Sequence, residues 1–583
     1  MIRRMVCHPV VSLCLVIAAI LASDRSFAQR QEPLPLPLPL GTPHLFFSTY
    51  LGGTKPCDGC TDARTFAQNA GSDAQGNTYV TGASRASNLP VLNAFQPKPA
   101  PHSEMTAFVA KYDSAGKPLW LTYLGGNQQT MGVGVAVMPD GGVAIAGMTS
   151  SDASGPFPTK NAFQDHNNGE ANYFVTVFDA NGNLRYSTYL GGSGVDGSGF
   201  TDDNSNGNNL AADAHGLIYL TGTTSPGSDA VIKFPVTPNA LQPDLKGPTD
   251  AFLCILDPAK RGADSLVYCS FLGGGRNEKG HSVTVNPAGD LITAAGYTDS
   301  FDFPTTSNAY RKDPAPAGYT SNGFVAQFRS SKPGDPSSEY SARYSTYLGA
   351  DSSEARDDTY GIALGPGGLI VATGHTESAD FPMTGPGVPS IYNKAPYLKP
   401  RTSGDEPYLV KIDPSLEGKA SLVYSTFLGG GAQDGAWGSF CTSVGVDSRG
   451  AAYLGGEATS PREAISPGVE YVPFPIPVTA PMEFPYTNNA LITVEQGDSD
   501  AVFVQISPSG GWLGYSTFVG GNGSDRTYGL AVDPAGNVVL TGLTSSSDFP
   551  VKNPAQKWPG IEGQQNAFVA KFSFTAVSGD GNR

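Results

Sequence analysis

The chain has 583 residues, a net charge of −16, 72 glycines, 47 prolines and only 15% charged residues. The acidic balance argues against nucleic acid and anionic membranes as partners, because binding to phosphate groups needs a basic face. The high glycine and proline content is typical of many short strands joined by turns, and it argues against a helical bundle.

The N-terminus has the pattern of a secretory signal peptide. Arg3 and Arg4 precede an apolar stretch over residues 10–22, which is short for a membrane span, and Ser26 and Ala28 place small residues at a cleavage site. We expect a signal peptide over 1–28 and a Pro/Leu-rich spacer over 29–44. The alternative is an uncleaved anchor. No second apolar segment is long enough to span a membrane, so we expect a secreted protein, extracellular or periplasmic, with association to the cell surface left open.

A seven-residue motif recurs along the chain. It has the pattern aromatic-Ser-Thr-aromatic-Leu-Gly-Gly, with small variations. Its copies begin at Phe47, Trp120, Tyr186, Tyr268, Tyr344, Tyr424 and Tyr515. Seven regular copies indicate a repeat architecture rather than a series of unrelated domains.

Three further elements separate consecutive copies. The first consists of two apolar runs around an Asp/Asn-x-x-Gly turn, as in residues 529–542, and this is hairpin chemistry. A Phe-Pro loop follows, and then a strand such as residues 107–112. Together with the seven-residue motif, each repeat therefore contains four strands.

The order of elements at the two ends of the chain predicts a closed ring. The first repeated element, residues 47–51, is a fourth strand without a blade, and the last, residues 567–572, is a third strand without a fourth. A solenoid would need caps at its ends, whereas a ring can join these two halves into one blade. The sequence predicts an all-β fold: a single seven-bladed β-propeller of four-stranded blades over 45–573, followed by a tail over 574–583.

The repeated Tyr-Ser-Thr-Tyr-Leu-Gly-Gly, Ala-Val-Asp-x-x-Gly-Asn and Asp-Phe-Pro elements resemble the SBBP (seven-bladed beta-propeller) repeats of bacterial secreted and surface proteins. The resemblance covers nearly all of residues 45–573. It implies a β-propeller outside the cytoplasm, and it supplies no catalytic signature.

Acidic residues recur between each Gly-Gly pair and the next first strand. If the first strands line the central axis, these side chains ring one mouth of the channel, where like charges would need cations or water beside them. The predicted ligand-binding residues are Asp62, Asp196, Glu278, Asp358, Asp434 and Asp525. The alternative is that they form caps and loop hydrogen bonds that repeat with the blade.

One segment resembles a calcium loop. Asp202, Asn204 and Asn206 match the first, third and fifth ligands of an Asp-x-Asn-x-Asn-Gly loop, and Asp213 stands at the twelfth position. No flanking helices are predicted, and Asp213 is also a repeated hairpin residue. Calcium is the only cofactor that the sequence suggests, and the alternative is a polar insertion without metal.

Five cysteines follow the signal peptide, and export would permit disulfides. Cys254 and Cys269 fall on the two arms of one predicted hairpin, and Cys57 and Cys60 could close a small loop. Cys441 is left without a partner.

The sequence favours a non-catalytic extracellular binding or interaction scaffold, monomeric, with a glycan or a protein as its ligand. The histidines are scattered among repeats, and His281 and His375, which fall in or beside first strands, are interpreted as structural. One alternative is a secreted carbohydrate-active enzyme that uses carboxylates at the channel mouth. Another is a structural component of the cell surface or matrix.

Overall fold

The computed structural model describes residues 43–197, 207–226, 233–314, 321–350, 356–378, 380–384, 406–428, 440–458, 484, 486–511 and 513–574. Strand β1 (Pro43–Leu51) precedes the first complete sheet. Blade 1 contains β2 (Thr65–Ser72), β3 (Thr78–Ser84), β4 (Thr106–Tyr112) and β5 (Pro118–Leu124). Blade 2 contains β6 (Thr130–Val137), β7 (Val143–Thr149), β8 (Asn172–Phe178) and β9 (Leu184–Leu190). Blade 3 contains β10 (Leu210–Ala212), β11 (Ile218–Thr224), β12 (Asp250–Leu256) and β13 (Leu266–Leu272).

The remaining sheets repeat this order. Blade 4 contains β14 (Glu278–Val285), β15 (Leu291–Thr298), β16 (Asn322–Ser330) and β17 (Tyr340–Leu348). Blade 5 contains β18 (Asp357–Leu364), β19 (Ile370–Thr376), β20 (Glu406–Ile412) and β21 (Leu422–Phe427). Blade 6 contains β22 (Phe440–Val446), β23 (Ala452–Ala458), β24 (Asp500–Ile506) and β25 (Leu513–Val519). Blade 7 contains β26 (Asp525–Val532), β27 (Val538–Thr544), β28 (Asn566–Phe574) and β1.

Every blade is a four-stranded antiparallel sheet, and short 3₁₀ turns at Gly262–Ser265, Pro366–Gly368 and Gly418–Ser421 are the helical elements of the described residues. The first strand of each blade contacts the sheet of the preceding blade, and β2 contacts β26 and β27 in the same way. The ring is therefore closed, as the sequence predicts. None of the helices in the described ranges has the length and apolarity to cross a membrane.

The strands are buried on both faces because each blade lies between two others. All seven residues of β3, β4 and β7 are buried, and these include polar residues such as Thr78, Thr81 and Lys111. Threonine hydroxyls here bond to neighbouring strands, so burial leaves few of them unsatisfied: Thr81 Oγ1, for example, donates to Phe108 O at 2.8 Å.

Strand β1 completes blade 7 by lying beside β28, which confirms the predicted closure. Ser48 exchanges two backbone hydrogen bonds with Lys552, at 2.8 and 3.1 Å. Tyr50 Oη donates to Ser546 O at 2.9 Å and accepts the Phe549 amide at 3.0 Å. These bonds join the two ends of the propeller across almost the whole sequence.

The first aromatic residue of the repeated motif covers a glycine in the neighbouring blade. A Cβ on Gly116 would lie 2.5 Å from the ring of Phe47, and a Cβ on Gly182 would lie 3.1 Å from that of Trp120. Both glycines have φ above +80°, a conformation that tight turns require and side chains disfavour. The aromatic residues therefore fill the space between blades.

The Phe-Pro loops cover the outer edges of the blades. Leu92 bridges to Leu121 on β5, and Ile492 bridges to Phe518 on β25. An uncovered fourth strand would offer its free backbone groups to another chain. These loops therefore protect the outer edges from pairing with neighbouring molecules.

Candidate functional site

The acidic residues predicted at the channel mouth lie inside turns. Asp196, Glu278 and Asp525 have no solvent exposure. Each carboxylate accepts the amide of the second glycine of the preceding Gly-Gly pair, four residues upstream. These bonds are Gly192 N to Asp196 Oδ2 at 2.8 Å, Gly274 N to Glu278 Oε2 at 3.0 Å and Gly521 N to Asp525 Oδ2 at 2.9 Å. The repeated acids close the Gly-Gly turn.

In blade 5 the carboxylate that closes the corresponding turn is that of Asp357, whose Oδ2 accepts the Ala350 amide at 2.9 Å. Asp358 follows it and points to the other face of the strand, because side chains alternate along a strand. Asp62 lies near Arg64 at 3.4 Å and Arg85 at 3.6 Å, and its side chain is 27% exposed. Asp434 lies outside the described residues. Among the other five predicted acids, which lie in the described part of the chain, no hydrogen bond or ion pair joins any two.

Burial raises the pKa of the carboxyl groups that close the Gly-Gly turns, Asp196, Glu278, Asp357 and Asp525, and the pKa reaches about 6 for Asp196 and Asp357. The pKa of Asp500 is raised to about 8, by burial first and then by the charges of Asp525 and Glu495. A Cβ on Gly520 would lie 2.2 Å from Asp500 Oδ1 and 2.9 Å from Asp525 Oδ2. The first glycine of the pair is therefore required, because the carboxyl groups of Asp500 and Asp525 leave no room for a side chain at this position.

Asp213, the twelfth position of the calcium-like segment, holds a hairpin turn. Its Oδ1 accepts the amides of His215 and Leu217, each at 2.9 Å, and its Oδ2 accepts the hydroxyl of Tyr219 at 2.9 Å. The same turn is built around Asp73, Asp447 and Asp533. Asp202, Asn204 and Asn206 lie outside the described residues, and the described ranges hold no group of three or more His, Cys, Asp or Glu placed to bind a metal ion.

The structure joins Cys57 to Cys60 and Cys254 to Cys269. The second pair lies directly opposite on β12 and β13, so it connects two strands of blade 3. Cys441 is buried and free, and burial raises the pKa of its thiol to about 12. This thiol is therefore inert at neutral pH.

One-residue bulges shape the inner strands. Among the described residues, a register shift interrupts the pairing of the first and second strands in six blades, and the extra residues are Gln68, Val133, His281, Tyr360, Thr442 and Tyr528. Bulges redirect side chains and are frequent beside functional sites. The repeat pattern gave no indication of them, because a bulge adds no turn residue.

Blades 4 and 5 use their bulges to build a polar cluster, which we call the blade 4–5 wall: Lys279, His281, Tyr297, Asp358, Tyr360 and His375. The ring of Tyr360 lies 4.9 Å from that of His281 in a stacked arrangement and 5.2 Å from that of His375. Tyr297 lies 5.7 Å from His281, and the ammonium group of Lys279 lies 5.7 Å from the Tyr297 ring. Four rings from two blades therefore form a continuous layer.

Asp358 is the acidic centre of the wall. Its Oδ2 lies 3.8 Å from His375 Nε2 and accepts the Tyr360 hydroxyl at 3.4 Å, and its Oδ1 accepts Ser321 Oγ at 3.2 Å. The side chains of His375 and Asp358 are 9% and 14% exposed. Solvent therefore reaches the carboxylate, in contrast to the closed carboxyl groups of the Gly-Gly turns.

His281 is a neutral member of the wall. Burial lowers the pKa of its imidazole to about 4, and its Nδ1 lies 3.2 Å from the carbonyl oxygen of Thr359. A neutral ring that bonds a carbonyl through Nδ1 carries its proton there, so the bond ties blade 4 to blade 5. Burial also raises the pKa of nearby Asp299, and the charge of Asp358 adds to this.

The equivalent positions of blades 1 and 2 are apolar. On the strands of the wall, Lys279 is paired with Tyr297 and Asp358 with His375. The corresponding pairs are Phe66 with Ala83 and Met131 with Met148, all of them buried. The register positions of Lys279 and Asp358 are thus polar in some blades and apolar in others. Comparing the second residue of each first strand would have revealed the difference from sequence, but only with the register known.

The wall offers a carboxylate, two imidazoles, two phenols and an ammonium group, and its carboxylate is partly exposed. These groups can exchange hydrogen bonds with a polar ligand, and the rings limit its orientation.

Comparison with known proteins agrees with the fold. Residues 513–550 match the family model described as the beta-propeller repeat, SBBP, which confirms the resemblance seen in the sequence. The regulatory protein FlaEY of Caulobacter vibrioides is 27% identical over 183 residues, which are 31% of this chain and 17% of that protein. The match therefore spans less than a fifth of the relative.

Several solved structures are similar at low identity. A protein of unknown function from Dyadobacter fermentans has 9% identity and a TM-score of 0.33, covering 92% of this chain and 100% of its own. Quinohemoprotein alcohol dehydrogenase from Comamonas testosteroni has 10% identity and a TM-score of 0.35, covering 91% and 76%. Acylaminoacyl peptidase from Pyrococcus horikoshii has 8% identity and a TM-score of 0.36, covering 86% and 52%.

Proposed function

We propose that this protein is a non-catalytic extracellular scaffold that binds a glycan or a protein at the blade 4–5 wall. The observation that carries the proposal is the contrast between this wall and the corresponding positions of blades 1 and 2. Blades 6 and 7 also have charged side chains at this level, but there Arg526 and Glu457 form an ion pair with each other. Asp358 is partly exposed and lies beside the imidazole of His375, whereas Phe66 and Met131 are apolar and buried at the same level. Apolar side chains are sufficient to pack these positions, as blades 1 and 2 show, so the polar side chains at the same positions of blades 4 and 5 support a binding role.

The carbohydrate-active alternative has less support. Glycoside hydrolysis needs two carboxyl groups that reach the substrate. Asp196, Glu278 and Asp525 are fully buried, and each is used by the backbone of its own turn. Their raised pKa values follow from burial, which a structural role explains. The role as a matrix component is supported by no separate observation.

The extracellular part of the proposal is supported by the basic, apolar and small-residue pattern of residues 3–28, which lie outside the described residues. N-terminal sequencing of the protein exported by its native host provides the test. We expect Gln29 as the first residue of the exported form. Recovery only in the cytoplasm, with Arg3 and Arg4 still present, would contradict this part.

Binding is tested with a panel of immobilised polysaccharides and proteins, scoring both retention of the purified protein and release of soluble sugar. We expect retention without release. Asp358→Asn should lower the affinity for the retained ligand at least fivefold, because it removes the accepting charge at the centre of the wall. The matched control is Glu562→Gln, which removes one exposed charge in blade 7 and should bind normally. Sugar release, or equal affinity of Asp358→Asn and wild type, would refute the proposal.

A further inference from the structure

A cavity of about 390 Å³ lies between the outer parts of blades 3 and 4. Leu241 and Phe271 line it from blade 3, and Phe328 and Ala342 line it from blade 4. Phe271 and Phe328 are 8% and 6% exposed, whereas Leu241 is 46% exposed. The first two therefore form the interior of the cavity, and Leu241 stands at its mouth.

The cavity has a specific origin in the repeat. Ala342 pairs with Phe328 at the bulge between the third and fourth strands of blade 4. At the same register position, blades 2, 3, 5 and 6 have leucine, at Leu184, Leu266, Leu422 and Leu513. The alanine lacks the isobutyl group that these blades place here, so space remains between the sheets.

The polar groups inside the cavity are already bonded within the protein. Ser345 Oγ donates to Pro304 O at 2.6 Å, and Ser270 Oγ donates to Phe271 O at 2.9 Å. An occupant therefore needs no hydrogen-bonding groups in its buried part, and polar groups there would lose their bonds to water.

The mouth carries one charge of each sign. Asp244 and Lys246 line the cavity and are exposed. Their charges cancel, so the entrance favours a neutral molecule over an anion or a cation, although the chain as a whole has a net charge of −16. Both side chains can still bond to a polar end that remains at the surface.

We propose that this cavity, formed where Ala342 replaces the leucine of other blades, binds a small neutral apolar molecule with one hydrogen-bonding end. An engineered cavity of about 150 Å³ accommodates benzene. The larger volume here, about 390 Å³, suits a molecule with two or three aromatic rings or a short acyl chain of similar bulk.

The probe is N-phenyl-1-naphthylamine, a neutral amine that carries a naphthyl and a phenyl group and whose fluorescence rises in apolar surroundings. We expect the full-length protein to bind it saturably with one site per chain. Ala342→Leu should weaken this binding at least tenfold, because it restores the side chain that fills the space. The matched control is Pro118→Leu, which introduces the same residue at the same register position of blade 1 and should leave binding unchanged.

A second variant protects the test if Ala342→Leu fails to fold. Leu241→Trp enlarges an exposed side chain at the mouth and should also weaken binding at least tenfold. Its control is Leu491→Trp in the corresponding loop of blade 6, where the leucine is 41% exposed. No saturable binding by the wild type would overturn the proposal. Unchanged binding in a folded Ala342→Leu protein, or in Leu241→Trp where the first variant does not fold, would overturn it equally.

Discussion

Replacing Phe47 by alanine should open the junction at which the ring closes. The side chain has no solvent exposure, and its ring lies against Gly116 of blade 1 and 6.5 Å from that of Tyr112. Removing a buried phenylalanine costs about 3–5 kcal/mol, because the apolar contacts are lost and a cavity remains. With about 2.1 cal/mol/K of unfolding entropy per residue, a unit of about 530 residues loses about 1 °C per kcal/mol. We therefore expect the melting temperature to fall by about 3–5 °C.

The matched control is its neighbour on β1, Phe46, which is 38% exposed. Phe46→Ala removes the same atoms from the same strand, but a surface substitution of this kind changes stability by about 0.5 kcal/mol or less. Differential scanning calorimetry of both variants, with hydrogen exchange of β28, measures the effect. If Phe47→Ala melts within 1 °C of Phe46→Ala and β28 stays protected, β1 does not stabilise the closed ring and the argument fails.

Three further predictions concern the junctions between blades. Gly520→Ala should lower the free energy of unfolding in chemical denaturation by about 1–3 kcal/mol, because its Cβ would lie 2.2 Å from Asp500 Oδ1. The control is Gly365→Ala, whose Cβ would lie 3.6 Å from the nearest atom and which should not lower stability. Equal losses of stability in the two variants would contradict the argument. Asp500 has a pKa raised to about 8 in the folded protein against about 3.9 in the unfolded chain, so its contribution to stability is full below pH 4 and is lost as the pH rises to about 8. Asp500→Asn should therefore raise the melting temperature more at pH 8 than at pH 5, and a gain independent of pH would contradict this assignment. Tyr50→Phe should cost about 1–3 kcal/mol of unfolding free energy, because it leaves Ser546 O and the Phe549 amide without their hydroxyl partner, and an unchanged denaturation midpoint would show that water replaces it.

The pH prediction has a natural counterpart within the molecule. At the junction of blades 2 and 3 the equivalent pair is Asn172 and Asp196, and Asn172 Nδ2 donates to Asp196 Oδ2 at 3.0 Å. Asp500→Asn would create the same bond to Asp525 in place of two facing carboxyl groups. The fold therefore already uses the arrangement that the variant introduces.

The sequence by itself determined the architecture. Seven copies of one motif determined the number of blades, and the unmatched strands at residues 47–51 and 567–572 determined how the ring closes. This was possible because each blade is built from local hairpins whose turn residues and apolar runs are written directly in the chain. The aromatic residues between blades could be predicted for the same reason, since they recur with the repeat.

Only the tertiary structure decided which polar residues are available to a ligand. Asp196, Glu278 and Asp525 recur in the way that a ring of acids at a channel mouth would require. They are nevertheless buried, because each carboxylate accepts a hydrogen bond from the backbone amide four residues upstream. Conversely, His281 and Tyr360 become neighbours because each occupies a one-residue bulge. A shift of one residue moves a side chain to the other face of a strand, and a repeat pattern does not record such a shift. The cavity beside Ala342 depends on the same kind of information, since its missing leucine becomes evident only when the strands are aligned in space.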